Sequence, residues 1–299
     1  MKFSAWPRTV YPWTEVLDEV KHAEATGWDG IWIADHFMPN TADRKGPTQE
    51  CLTVLAAIAA SVPRVRLGTL VVGNTYRNPA VLAKQAAQVD VISGGRLILG
   101  MGAGWQENEH EAYDIPFYTI GGRLRRLEES IQVLRSLFDN DRTNFEGRFY
   151  NLKDAPLDPK PAQTRLPLLV GGGGEKKTMR IAAQYADEWN TWGRPSTLAR
   201  KSAVLEQHLD DLGRDPSTIK RSCQALIVIT EDQAEIDRAA GGQPTLAGSI
   251  EFLRDAMGQY KEAKIDEFIL PDFNMGPDYA KRIETYDRFM EEVASGFRD

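Results

Sequence analysis

Cysteine and histidine are scarce in this 299-residue chain: two of the first, Cys51 and Cys223, and four of the second. Two distant cysteines argue against a disulfide-stapled secreted scaffold and fit a reducing compartment, and no zinc-ligand spacing is present. Long apolar runs are missing too. None approaches the ~18 residues that a membrane helix needs, and the opening MKFSAWPRTV lacks an apolar core of signal-peptide length. A cytoplasmic location is therefore expected. Positive charge is in deficit, with 36 Lys and Arg against 43 Asp and Glu, which excludes the basic footprint of a nucleic-acid binder. What is not scarce is apolar residue content: 42% hydrophobic with 26% charged suffices for a large core and excludes a disordered chain.

The chain is organised around Gly94–Trp105, GGRLILGMGAGW. A double-Gly turn leads into a short apolar strand, which breaks into glycines at Gly100, Gly102 and Gly104. An unbroken apolar run of this length reads as a strand buried on both faces, as in a parallel sheet. Glycines at its exit allow a sharp turn and the close approach of a ligand. A flat, flavin-like ring is the ligand this pattern suggests.

Similar strand–helix units recur along the chain. Strands are expected at Lys2–Trp6, Gly30–Ala34, Val65–Val72, Leu97–Leu99, Leu166–Val170, Glu188–Trp192, Cys223–Ile229 and Glu267–Leu270. Helical spacing occupies Trp13–Thr26, Thr48–Ala60, Pro79–Ile92, Arg123–Phe138, Lys176–Tyr185, Leu198–Leu212, Glu231–Ala240, Thr245–Ala263 and Tyr279–Ala294. Eight alternating units imply a (β/α)8 TIM barrel in one domain spanning residues 1–299, with an open doubly wound sheet as the alternative. The polar, Pro-rich stretch at 139–166 reads as an insertion between the fourth and fifth strands.

In a barrel the residues just after each strand share one mouth, where active sites lie. The second strand delivers Asp35 and His36, the third Gly73, Asn74, Tyr76 and Arg77. The fourth delivers Gly102, Ala103, Gly104 and Trp105, then Asn108, Glu109 and His110. The fifth delivers Gly171, Gly172, Gly173 and Gly174, then Lys176, Lys177 and Thr178, and the sixth delivers Asn190, Thr191 and Trp192. Glycine, aromatics and few charges suit a planar, phosphate-bearing ligand. The tetraglycine run between a strand and a helix is an anion site or a flexible turn; a helix N-terminus offers N–H groups to a phosphate, to which Lys176 or Lys177 would add charge and Thr178 a hydroxyl. It is no Walker loop, and GMGAGW lacks the third glycine of a dinucleotide fingerprint. His36 is a candidate acid/base with Asp35 as its orienter. Trp105 and Trp192 are candidate ring-stacking walls or core residues. The cluster Arg123, Arg125 and Arg126 reads as a salt-bridged surface, with Glu128 and Glu129 in pairing range.

The segments WDGIWIADHFMP, RVRLGTLVVGNTYRNPAVLAKQAAQVDVISGGRLILGMGAGWQENEHEAYDIPF, FEGRFYNLKDAP and PLLVGGGGEKKTMRIAAQYADEWN resemble the luciferase-like monooxygenase superfamily, in particular its coenzyme F-420-dependent branch. The resemblance runs from about Trp28 to Trp192. It implies a TIM barrel, usually homodimeric, with a deazaflavin or FMN at the C-terminal mouth and a small-molecule substrate. It also implies a proton role for His36 of the Asp35-His36 pair and a non-prolyl cis peptide at Leu70–Val71 backing the ring. Ring and ribityl contacts would fall at Gly73, Asn74, Gly102, Ala103, Gly104 and Asn108, and the phosphate contact at Gly171–Gly174. The implied reaction is hydride transfer between coenzyme F-420 and a small organic substrate. FMN-dependent monooxygenation and a non-catalytic flavin-binding barrel are the alternatives. Sugar-phosphate dehydrogenases of this group carry a glutamate where this chain has Trp105, so an acid role falls to His36, Glu109 or His110.

Overall fold

In the computed structural model, which describes residues 1–298, eight parallel strands close on themselves. They are β1 (Lys2–Trp6), β2 (Gly30–Ile33), β3 (Arg66–Thr69, resuming as Val72–Gly73), β4 (Leu97–Gly102), β5 (Leu168–Gly171), β6 (Glu188–Trp192), β7 (Lys220–Gln224) and β8 (Glu267–Pro271). Each pairs with the next, and β8 returns to β1 with Lys2 opposite Glu267 and Trp6 opposite Pro271. The sheet is a closed (β/α)8 barrel; the open alternative is excluded.

Alternation sorts the side chains. On β2, Ile31 and Ile33 join the core between strands and helices, while Trp32 points into the lumen. The lumen is filled by Trp6, Trp32, Leu70, Ile98, Leu169 and Ile269. Gly68 has to be glycine, because a Cβ there would lie 2.2 Å from the Trp32 ring. The N-terminal end is plugged by polar groups. Arg66 lies 2.7 Å from Glu188 and 3.4 Å from Glu267, and Trp32 Nε1 donates to Glu267 at 2.9 Å. These groups close the lumen at that end, outside which lies a charged hollow of about 340 Å³ lined by Lys2, Arg66, Glu188, Lys220 and Glu267.

Eight main helices surround the barrel: α1 (Trp13–Ala25), α2 (Cys51–Ser61), α3 (Pro79–Ser93), α4 (Ile120–Asp139), α5 (Thr178–Tyr185), α6 (Pro195–Asp211), α7 (Ile250–Glu262) and α8 (Tyr279–Arg288). Local chemistry sets their ends. Glu50 caps α2 through the amides of Leu52 and Thr53. Asn78 caps α3, Pro79 opens it, and Gly94 ends it in the left-handed conformation at φ +68°. Among the described residues no helix is long and apolar enough to cross a membrane.

Two expected elements are corrected, as is the reading of the arginines at the start of α4 as a salt-bridged surface. The seventh strand is not one run over Cys223–Ile229: β7 ends at Gln224, and Leu226–Ile229 leaves the barrel to pair with Thr245–Gly248. The stretch expected as one helix from Thr245 thus begins as a strand, and α7 starts only after the Ser249 cap. The insertion is a hairpin, Arg142–Glu146 with Asn151–Pro156, and its bend is fastened to α4 by Glu129, which accepts from the amides of Arg148 and Phe149. The arginines at the start of α4 stack on aromatics: Arg123 lies 3.9 Å from the Phe117 ring centre, and Arg126 lies over Tyr118, Phe149 and Tyr150.

Candidate active site

At the C-terminal mouth a cavity of about 570 Å³ opens to solvent. The candidate site residues that line it are Asp35, His36, Leu70, Val71, Gly73, Gly102, Ala103, Gly104, Trp105, Gly171, Gly172, Gly173, Thr178 and Trp192, joined by Tyr76, Asn190 and Thr191, also expected at the mouth. Trp6, Ala34, Gln224, Gln243 and Phe273 complete the wall. Trp6 ends β1 and Phe273 follows β8, strands whose exits the mouth rule covers equally, so the same signal could have found them.

His36 leaves β2 facing the cavity. Its Nδ1 is 3.1 Å from Glu109 Oε2. Glu109 stands on a short helix, Glu107–Ala112, and its side chain is fully buried. The carboxylate also accepts from the Tyr76 hydroxyl and from the amides of Phe37 and Met38, the latter at 3.2 Å. Burial alone would raise its pKa; the hydrogen bonds from His36, Tyr76 and Phe37 outweigh burial and hold it below the ordinary glutamate value. Burial and the bond to Glu109 together push the Tyr76 phenol up. A carboxylate only accepts, so Nδ1 of His36 carries the proton and Nε2 is the nitrogen left for a ligand.

This corrects the role given to Asp35. Its carboxylate turns away from His36 and takes both Nη atoms of Arg77, at 2.7 and 2.9 Å, and the Gly73 amide at 3.2 Å. Arg77 is in turn 2.5 Å from Glu50. Burial raises the Asp35 pKa, with Arg77 pulling against it. Neighbours leaving an extended strand project to opposite sides, so the pair Asp35-His36 divides, one residue tying β2 to the turn after β3 and the other facing the cavity.

The floor is Leu70–Val71, whose peptide bond is cis. Val71 explains much of the glycine richness. A Cβ on Gly102 would lie 2.6 Å from Val71 Cγ2, and one on Gly171 would lie 2.8 Å from Cγ1. A Cβ on Gly100 would lie 2.0 Å from the Thr69 carbonyl oxygen. These glycines make room for the floor itself, whereas the sequence suggested room for a ligand.

The tetraglycine loop bends at Gly172, φ +129°, and leads to α5, which has no side-chain cap. The Met179 amide is taken by the Gly174 carbonyl at 3.0 Å, and no side chain caps the amides of Thr178 and Arg180, which are the ones left for an anion. Lys201 donates to the Gly173 carbonyl at 2.5 Å.

Five expected contacts lie outside the cavity wall. Asn74 Nδ2 donates to the Gly102 carbonyl at 3.0 Å and Asn108 Nδ2 to that of Pro39 at 3.2 Å, which makes both of them braces between loops. His110 is buried and saturated, with Nδ1 2.8 Å from the Gln106 carbonyl and Nε2 2.7 Å from Thr75 Oγ1. Gly174 packs on Thr178, and Lys176 is exposed.

Comparison with known proteins follows the same lines. The profile of the luciferase-like monooxygenase family matches residues 1–290. A curated relative from Kineococcus radiotolerans, "F420-dependent glucose-6-phosphate dehydrogenase", is 34% identical over 74% of this chain and 66% of its own length. "F420-dependent hydroxymycolic acid dehydrogenase" from Mycobacterium tuberculosis is 30% identical over 77% of this chain and 62% of its own. The chain spans only half to 66% of the length of the first curated relatives it matches. Among solved structures, an F420-dependent secondary alcohol dehydrogenase has the same fold, with a TM-score of 0.86 at 22% identity over 100% of this chain and 99% of that one.

Proposed function

The chain belongs to the luciferase-like monooxygenase family, and from that premise we propose that it is an oxidoreductase moving a hydride between coenzyme F-420 and a small organic substrate. The observation that carries this reading is His36, held through Nδ1 by a buried carboxylate and facing a cavity floored by Val71. The names of its curated relatives support the choice of coenzyme.

The residues present fit such a group. Leu70 and Val71 form a flat apolar floor, Gly102–Gly104 an edge without side-chain bulk, and Gly172, Gly173 and Thr178 with the uncapped start of α5 a seat for a phosphate. When bound, the coenzyme accepts or gives the hydride at C5 of its deazaflavin ring; the protein supplies position and protons. His36 takes the proton from a substrate hydroxyl at Nε2, or returns it to the oxygen of a carbonyl. Glu109 fixes the tautomer and stabilises the imidazolium as it forms. Trp105 and Trp192 wall the pocket. The reading includes a homodimer, which the family resemblance alone supports.

Titration of the purified protein with coenzyme F-420 and with FMN tests the reading. Coenzyme F-420 is expected to bind, with FMN much weaker. His36→Ala is expected to keep coenzyme affinity and to lower turnover by about 10²–10⁴-fold. Binding of FMN alone would overturn the choice of coenzyme, and unchanged turnover in His36→Ala would overturn the proton role.

A further inference from the structure

The charge inventory of the mouth bears on whether a sugar phosphate, the substrate in the name of one relative, suits this chain. Among the described residues, no lysine or arginine lines the cavity. Lys176 and Lys177, just before Thr178, are exposed and outside the wall, and three further nearby cations are engaged. Arg77 is held by Asp35 and Glu50, Lys201 by the Gly173 carbonyl and Glu175, and Arg8 by Asp272. The anion-compatible feature that does face the cavity, the start of α5, is the seat given above to the coenzyme's phosphate. A second phosphate, on a substrate, would find no lysine or arginine in the cavity wall to offset the cost of its partial desolvation.

The opposite wall points to what the substrate is. Trp6, Trp192 and Phe273 meet there, with ring centres 5.8 Å apart for Trp6–Trp192, 4.8 Å for Trp6–Phe273 and 6.1 Å for Trp192–Phe273. Trp105 stands across the mouth, edge-on to His36 at 5.5 Å and largely exposed. Asn190 is no handle for a charged group: its amide donates to Ser222 and to Gln224, at 2.9 and 2.8 Å. Three aromatic rings meeting on one wall reward apolar and planar surface.

We infer that the substrate is an uncharged aromatic or alicyclic secondary alcohol, or the matching ketone, seated against Trp6, Trp192 and Phe273. This rests on the reading of the site as a hydride-transfer centre. Oxidation of the alcohol breaks its C–H bond, whose electron pair leaves with the hydride to the coenzyme. The hydroxyl proton passes to His36, and the C=O bond forms. Alcohol and ketone differ by two electrons and two hydrogens, so no further reactant is required.

Calorimetric titration of the protein, with and without coenzyme F-420, against acetophenone and against glucose 6-phosphate tests the inference. Acetophenone is expected to bind saturably in both forms and glucose 6-phosphate in neither. Trp192→Ala is expected to weaken acetophenone by about tenfold. Phe273→Ala, at a partly exposed position that tolerates truncation, is expected to weaken it in the same direction. Glucose 6-phosphate binding as tightly as acetophenone overturns the inference, as does acetophenone binding that neither substitution alters or no acetophenone binding at all. The two readings fail separately. Loss of coenzyme binding with acetophenone still held by the aromatic wall sinks the coenzyme assignment alone. Coenzyme binding with a preference for the sugar phosphate sinks the substrate class alone.

Discussion

Glu109 is the residue on which the geometry of His36 depends. It receives four donors, and two of them are the backbone amides that set the path of the chain just after His36. Glu109→Gln keeps the shape but turns one acceptor into a donor facing those groups. We expect kcat to fall about 10–100-fold while coenzyme affinity and KM move little, because the lost interaction grows as charge develops on the imidazole. Glu109→Asp should recover part of the loss. A rise in KM at constant kcat would show instead that Glu109 only shapes the pocket. The pH dependence has a definite sign. The folded-state pKa of Glu109 is held below that of the unfolded chain, so its contribution to stability is present above the ordinary glutamate value of about 4.3 and is lost as pH falls through the lower folded value. Melting curves taken between pH 3 and pH 6 should show this loss, and Glu109→Gln should lack it. The sequence displayed Glu109 as one of three acid candidates, but not its bond to His36, because 73 residues separate the two. The neighbour Asp35 looked the better partner for the opposite reason: adjacency in sequence is visible, while the side on which each side chain emerges is set by the strand.

At the scale of elements, the apolar runs were legible because a strand buried on both faces admits little else. Seven of the expected strands map directly onto the barrel, and the exception is instructive. Leu226–Ile229 is as apolar as any barrel strand, yet only Ile227 of it is fully buried; hydropathy reports that a run seeks cover, not which sheet provides it. The β3 interruption at Leu70–Val71 came from family resemblance, since nothing in RLGTLVVG breaks the apolar pattern. Its consequence is the set of glycines around Val71, and this can be tested. Gly171→Ala is expected to destabilise the protein by about 1–3 kcal/mol through overpacking against Val71. Val71→Ala added to it should restore at least half of that loss, a coupling that chemical denaturation of the four proteins of the cycle would measure. Strictly additive losses would show that the glycine is there for some other reason.

At the scale of the whole molecule, the barrel has to be sealed where its two chain ends meet, and the seal is ionic. Arg282 on α8 is fully buried, 3.2 Å from Glu19 and paired with Glu15 on α1, with Asp272 after β8 at 3.7 Å. Arg8 after β1 joins Asp272 at 3.1 Å, so three carboxylates face two guanidinium groups. The surplus negative charge appears in the titration. Burial, with Asp272 adding to it, raises Glu19 to about 7, and burial raises Asp272 to about 6 against the pull of Arg8 and Arg282. In the unfolded chain both ionise near pH 4. The folded state therefore binds the extra protons between about pH 4 and pH 7, so the contribution of these two groups to stability is fully present below that interval and is lost as pH rises through it. Glu19→Gln leaves two carboxylates for two cations and removes the group that resists ionisation. Its melting temperature should depend less on pH than that of the parent and should equal or exceed it at pH 8, by roughly 2–4 °C for each kcal/mol recovered. A Glu19→Gln protein that melts lower than the parent at pH 8 would show that Arg282 needs all three carboxylates, and that the seal is held by charge pairing rather than strained by it.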